Sequence, residues 1–232
     1  MKKLLIATTV AMTLSAAAHA ADSTAQLKVQ GVLTNDACTP TLTGGGTVDF
    51  GTFPVDTLSS TATNQLGKKD ISLSISCTSP VKVAWGIEDN VGEPAQIDIT
   101  NTGYNNATVY ASGSNGLFGV GKTAGGVTIG AYAVALNRNG ATADGVVSKI
   151  IYGAIGGATG WTTFYPTGSK DHVDNKNRYQ YSLLDAEGDH PIAFTNAVFP
   201  MRVTLDVDKT STLAITDETP ILGQSTITLY YL

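Results

Sequence analysis

Residues 70–77 put Ile71, Leu73, Ile75 and Cys77 on one face of an extended chain and Ser72, Ser74 and Ser76 on the other. Successive side chains of a β-strand point to opposite faces, so this alternation marks a strand with one face in a core and one in water. Residues 224–232 repeat the pattern, with Ser225, Ile227, Leu229 and Tyr231 on one face and Thr226, Thr228 and Tyr230 on the other. Further strand candidates lie at 27–33, 47–51, 81–87, 129–136, 192–194, 201–207 and 213–215. Turn residues separate them, and helical periodicity is sparse. That spacing predicts an all-β sandwich or barrel. Gly, Thr, Ser, Ala and Val dominate the composition, which suits glycine-punctuated β-structure. Residues 148–155 fit a short strand or a short helix alike. Residues 88–122 and 153–184 show weak periodicity and read as long loops or extra hairpins, where binding surfaces are often found.

The amino terminus reads as a secretory signal peptide over residues 1–20. Lys2 and Lys3 supply the charged region, residues 4–17 the apolar run, and Ala18, His19 and Ala20 an A-x-A cleavage site. The apolar run is shorter than the roughly 20 residues that span a bilayer. The expected mature chain begins at Ala21, lacks an integral membrane segment and is periplasmic. Loss of Lys2 and Lys3 leaves 12 basic against 19 acidic residues and takes the net charge from −5 to −7. An acidic surface repels phosphate backbones, so nucleic acid is not an expected partner. Cys38 and Cys77 both lie in the exported part, and an even count in an oxidising compartment implies a disulfide.

Three patterns invite a catalytic or metal reading, and each has a plainer one. Gly116, Gly121, Lys122 and Thr123 satisfy a P-loop spacing, but Gly125 and Gly126 follow where a helix should begin, so a glycine-rich turn is expected. Asp171, Asp174, Asn175, Asn177, Asp185, Glu187 and Asp189 form an acidic and amide cluster without the spacing of a calcium loop, and read as a solvated loop. No nucleophile elbow is present, and the two cysteines read as paired. The chain is therefore expected to be non-enzymatic and to need no cofactor or metal. Trp85 falls in a strand and reads as core. Trp161 and Tyr165 fall in an aromatic loop and are the candidates for contact with a surface glycan.

Three stretches resemble a family. Val29, Gly31, Val32, Leu33, Asn35, Ala37 and Cys38 resemble the start of a chaperone–usher pilin. Cys77 follows at a separation similar to that of the pilin disulfide, and residues 226–232 resemble the strand with a penultimate tyrosine by which pilins bind a periplasmic chaperone. Residues 125–132, with Gly125, Gly126, Gly130 and Tyr132, look like the domain-of-unknown-function 1120 group of fimbrial-like periplasmic proteins.

The resemblance implies a pilin-like, incomplete immunoglobulin-type β-sandwich over residues 31–232, with one disulfide and enlarged central loops. It implies a gap beside the last strand, filled first by a periplasmic pilus chaperone and later by a neighbouring fimbrial subunit. Ile227, Leu229, Tyr231 and Leu232 would form the subunit's binding edge. Residues 21–30 would be the donor arm, with Ala25, Leu27 and Val29 on one face. The arm is short, and the chain exceeds an ordinary shaft pilin in its two glycine-rich central stretches. The expected function is a structural or adhesive fimbrial subunit in the periplasm, the fimbrium or the cell surface. The alternative is a stand-alone periplasmic β-sandwich binding protein that does not polymerise.

Overall fold

In a computed structural model of the chain, the described residues are 28, 30, 37–112, 115–157, 160–164, 172–185 and 188–232. The chain divides into Met1–Thr34, of which only Lys28 and Gln30 are described, and Asn35–Leu232. The signal peptide and the donor-arm positions Ala25, Leu27 and Val29 lie outside the described residues, as does Tyr165.

The regular structure of the described residues from 37 onward is nearly all β. In chain order the strands are β1 (Cys38–Leu42), β2 (Asn64–Val81), β3 (Val83–Asp89), β4 (Ile99–Thr102), β5 (Ala107–Val109), β6 (Phe118–Gly119) and β7 (Gly130–Leu136). They continue as β8 (Thr142–Ala143), β9 (Val146–Val147), β10 (Ile150–Ala154), β11 (Thr162–Thr163), β12 (Tyr179–Leu183), β13 (Phe194–Val207) and β14 (Ser225–Tyr231). A one-turn helix, α1 (Thr210–Leu213), precedes β14.

One sheet runs β1-β2-β13-β7-β6, with the β8–β9 hairpin added along the first half of β13. The second runs β11-β10-β12-β3-β14. Only Lys82 separates β2 from β3, so the chain crosses from one sheet to the other at a corner. The alternation in residues 70–77 is realised as read: Ile71, Leu73, Ile75 and Cys77 are buried, and their serine neighbours are not. From the opposite sheet, Val83, Trp85 and Ile87 join the same core. Trp85 sits at its centre, 5.1 Å from the ring of Tyr181 and 5.6 Å from that of Phe199. This is the all-β sandwich expected, stapled by the Cys38–Cys77 disulfide across paired positions of β1 and β2.

The central stretches hold added hairpins. β4 and β5 form a separate two-stranded sheet. Ile99, Val109, Leu117, Ala131 and Ala133 pack into a second core on the side of β7 away from the main one. Arg202 holds this hairpin to β13: it donates to the Gly103 carbonyl, lies 4.3 Å from the Tyr104 ring centroid and pairs with Asp70 at 2.6 Å. Residues 148–155 resolve as strand β10.

Three local expectations change. Residues 213–215 are not a strand; the chain there leaves helix α1 through Ala214 in the left-handed region, at φ 46°. Phe194 and residues 201–207 belong to one long strand, which runs on through Pro200, paired with Ser72 of β2, while Ile192 and Ala193 lie before it. Residues 47–50 pair with no strand among the described residues, and the chain turns at Gly51, φ 81°.

Candidate functional site: an unpaired groove

β14 is an edge strand. It pairs antiparallel with β3 from Ser225↔Asp89 to Tyr231↔Val83, and with no strand on its other side among the described residues. Asn90 donates to the Gln224 carbonyl at 2.9 Å and Leu232 donates to the Lys82 carbonyl at 3.0 Å. Hydrogen-bonded pairs alternate in an antiparallel ladder, so the even-numbered residues bond to β3. The backbone groups of Ser225, Ile227, Leu229 and Tyr231 therefore point to the open edge. Their side chains turn elsewhere: Ile227 and Leu229 pack against the main core, while Tyr231 is 52% exposed.

The other wall begins where β1 ends. After a turn at residues 43–46, Val48 and Phe50 pack on the core while Thr47 and Asp49 stay exposed, until the chain turns at Gly51, φ 81°, whose amide donates to Asp49 Oδ1. This is strand periodicity without a ladder. Between the two unpaired edges opens a cavity of about 1060 Å³. Its floor comes from both sheets: Ile71, Met201, Val203 and Leu205 from one, Ile87 and Ile227 from the other. Tyr132 and Ser225 add hydroxyls that hydrogen-bond to each other across the gap between the sheets. Burial drives the Tyr132 phenol up to about 12, against the opposing pull of the Ser225 hydrogen bond. It is a neutral donor or acceptor at any physiological pH.

At the tip of β14 the Tyr231 hydroxyl accepts a hydrogen bond from the Cys38 amide at 2.8 Å, tying it to the start of β1. Tyr230 is fixed on the opposite face of its sheet, where Asn177 donates to its hydroxyl at 2.6 Å. Both sit over Gly86, where a Cβ would stand 2.1 Å from Asn177 Oδ1. Residues 215–224 line the cavity where the chain leads into β14, with Leu222 66% exposed. The Leu232 side chain is half exposed.

The other sequence candidates fall elsewhere. Trp161 is half-buried, its ring lying on Gly153 of β10, and its partner Tyr165 is outside the described residues. The P-loop spacing falls on β6 and a turn closed by Gly126 donating to the Thr123 carbonyl at 2.9 Å; Lys122 is paired with Glu93. Asp174, in the acidic cluster, is buried and bonded to Arg178. Among the described residues no group of three or more His, Cys, Asp or Glu could hold a metal ion. No helix there is long and apolar enough to cross a membrane.

The sequence reading did not find Tyr132, Val48 or Phe50 as walls of the groove. The alternation of Val48 and Phe50 was legible, but not that their backbone would stay unpaired. Nothing local to Tyr132 announces that it faces Ser225, 93 positions away.

Comparison with known proteins finds similarity in sequence without naming a role. Residues 27–133 match the model of a family described as a protein of unknown function, DUF1120. The match spans β1 to the first half of β7. Over 99% of its length the chain is 29% identical to "Uncharacterized protein YhcF" of Escherichia coli strain K12, covering 98% of that protein. It is also 29% identical, over its full length and 99% of the other chain, to "Protein GltF" of the same organism.

Proposed function

We propose that this chain is an exported, non-enzymatic fimbrial-type subunit, structural or adhesive, whose sandwich is completed by a strand from another protein. The partner is a periplasmic pilus chaperone first and a neighbouring fimbrial subunit afterwards. One observation carries this reading: a largely apolar cavity of about 1060 Å³ lies between the open edge of β14 and residues 47–50, and among the described residues neither pairs with a strand on the side facing it. An unpaired edge beside exposed apolar surface templates strand addition. An incoming strand of seven residues would span about 23 Å at the antiparallel rise. Three or four inward side chains would each contribute about 1.5–3 kcal/mol of burial. Backbone bonds along β14 would add about 0.5–1.5 kcal/mol each. Association costs several kcal/mol, so this total leaves room for specific binding. The pilin-like ends of the sequence support the same reading, with the periplasm as the site of assembly.

The test is purification of the chain from periplasm with and without a co-expressed pilus chaperone. A chaperone heterodimer or a ladder of oligomers is expected, lost on deletion of residues 230–232 while the disulfide-linked domain stays folded. A soluble monomer indifferent to chaperone and to that deletion would refute the assembly reading.

The size of the cavity and the paired hydroxyls of Tyr132 and Ser225 favour a second reading, in which a stand-alone periplasmic protein binds a small apolar ligand there. That reading expects a monomer that extracts apolar small molecules and ignores strand-forming peptides.

A further inference from the structure

The groove's rim carries one sign of charge. Asp49, Asp217 and Glu218 line it, and among the described residues no Lys, Arg or His does. All three carboxylates are exposed. Asp49 stands on the unpaired segment opposite β14, its Oδ1 accepting from the Gly51 amide at 2.8 Å. Asp217 and Glu218 stand on the segment that leads into β14, and the Thr216 hydroxyl donates to Asp217 at 3.1 Å. Lys69 comes near, its ammonium 5.9 Å from the centroid of the Phe50 ring. The chain as a whole has a formal net charge of −5.

We propose that the strand filling this groove belongs to a separate, basic protein, and that it sets at least one Lys or Arg beside Asp217 and Glu218. The proposal rests on the strand-addition reading above and specifies its partner. The apolar floor sorts strands by size and alternation alone, so sequence choice falls to the charged rim. A second copy of this chain brings its own negative charge to an acidic rim and is repelled. Residues 21–30 carry Asp22 against Lys28, so the side chains of that arm offer no net charge to offset the repulsion. A partner with excess Lys and Arg is steered to the groove and held in one register.

The experiment titrates the purified chain with three ten-residue peptides. Two share an alternating Val/Ile face and differ in having Lys or Glu on the polar face; the third is residues 21–30. At low salt the Lys peptide should bind about tenfold tighter than the Glu peptide, and the gap should close as salt screens the rim. On an Asp217→Lys, Glu218→Lys variant the preference should reverse. The salt dependence on the unaltered protein stands as a test by itself if that variant does not fold. Equal binding of the Lys and Glu peptides, or tightest binding by residues 21–30, would overturn the proposal while leaving strand addition intact. Binding of none of the three would overturn strand addition, and this proposal with it.

Discussion

The hydroxyl of Tyr231 accepts a hydrogen bond from the backbone amide of Cys38 at 2.8 Å, joining positions 193 apart in sequence. It links an edge strand of one sheet to an edge strand of the other, at a point where β1 is already tied to β2 by the disulfide. Tyr231→Phe keeps the ring and removes this bond alone. A bond at a half-exposed site contributes near the low end of about 0.5–1.5 kcal/mol. The urea midpoint should fall slightly, and the Cys38 amide should exchange markedly faster. Unchanged exchange at Cys38 would show that the latch is not formed in solution.

The disulfide closes a loop of 39 residues. On the chain-entropy model such a loop stabilises the fold by about 4 kcal/mol. Replacing Cys38 and Cys77 together by Ser should lower the melting temperature by about 8–16 °C at this size. Calorimetry of the double variant against the oxidised protein measures it.

The legible parts of this fold were those governed by local alternation. Ile71, Leu73, Ile75 and Cys77 turned inward as their spacing requires, and so did Ile227 and Leu229. Residues 88–122 were opaque because hairpin β4–β5 packs on the outside of a sheet, so its buried residues follow a second core rather than the first. The likeness implied a gap beside β14, with Ile227 and Leu229 on its edge, but said nothing of the opposite wall. Whether Val48 and Phe50 join a ladder depends on which strand lies beside them, and no local pattern encodes that. Residues 213–215 look like a strand by composition, yet Ala214 takes a left-handed turn that ends a helical one.

Asp206 lies on β13 beneath the β4–β5 side of the sheet, 2% exposed, with Oδ1 unpartnered among the described residues. Burial raises its carboxyl to about 7, and only a hydrogen bond from Gln65 opposes the rise. A carboxyl whose folded pKa exceeds its unfolded value binds more protons folded than unfolded. Stability from this group is therefore full below about pH 4 and is lost as pH climbs to 7. The loss is at most about 4 kcal/mol. In Asp206→Asn this fall between pH 4 and 7 should vanish. Unfolding free energies of both proteins over that window decide it.

Gly86 leaves room for Asn177 and Tyr230 on the outer face of β3, where a Cβ would stand 2.1 Å from Asn177 Oδ1. Gly86→Ala should displace Asn177 and free the Tyr230 hydroxyl, costing about 1–3 kcal/mol. The change should also loosen the last residues of β14, seen as faster exchange at Tyr230 and Leu232. A fully native exchange pattern would place the clash elsewhere.

The parity of β14 makes the sharpest contrast. Thr228 pairs with Gly86, and its parity turns its amide toward β3, whereas the Ile227 amide faces the open edge. Proline removes the amide proton and is tolerated in a sheet only where that proton has no ladder partner. Thr228→Pro should break the β3–β14 ladder and cost about 1–3 kcal/mol for the carbonyl left without its donor. Ile227→Pro should spare that ladder, losing only some packing against the core. It should nevertheless abolish uptake of a partner strand, because the lost donor is one that strand would use. Thermal melts combined with peptide titration separate the two effects. If Ile227→Pro still takes up a strand at full affinity, the open edge of β14 is not where the partner pairs.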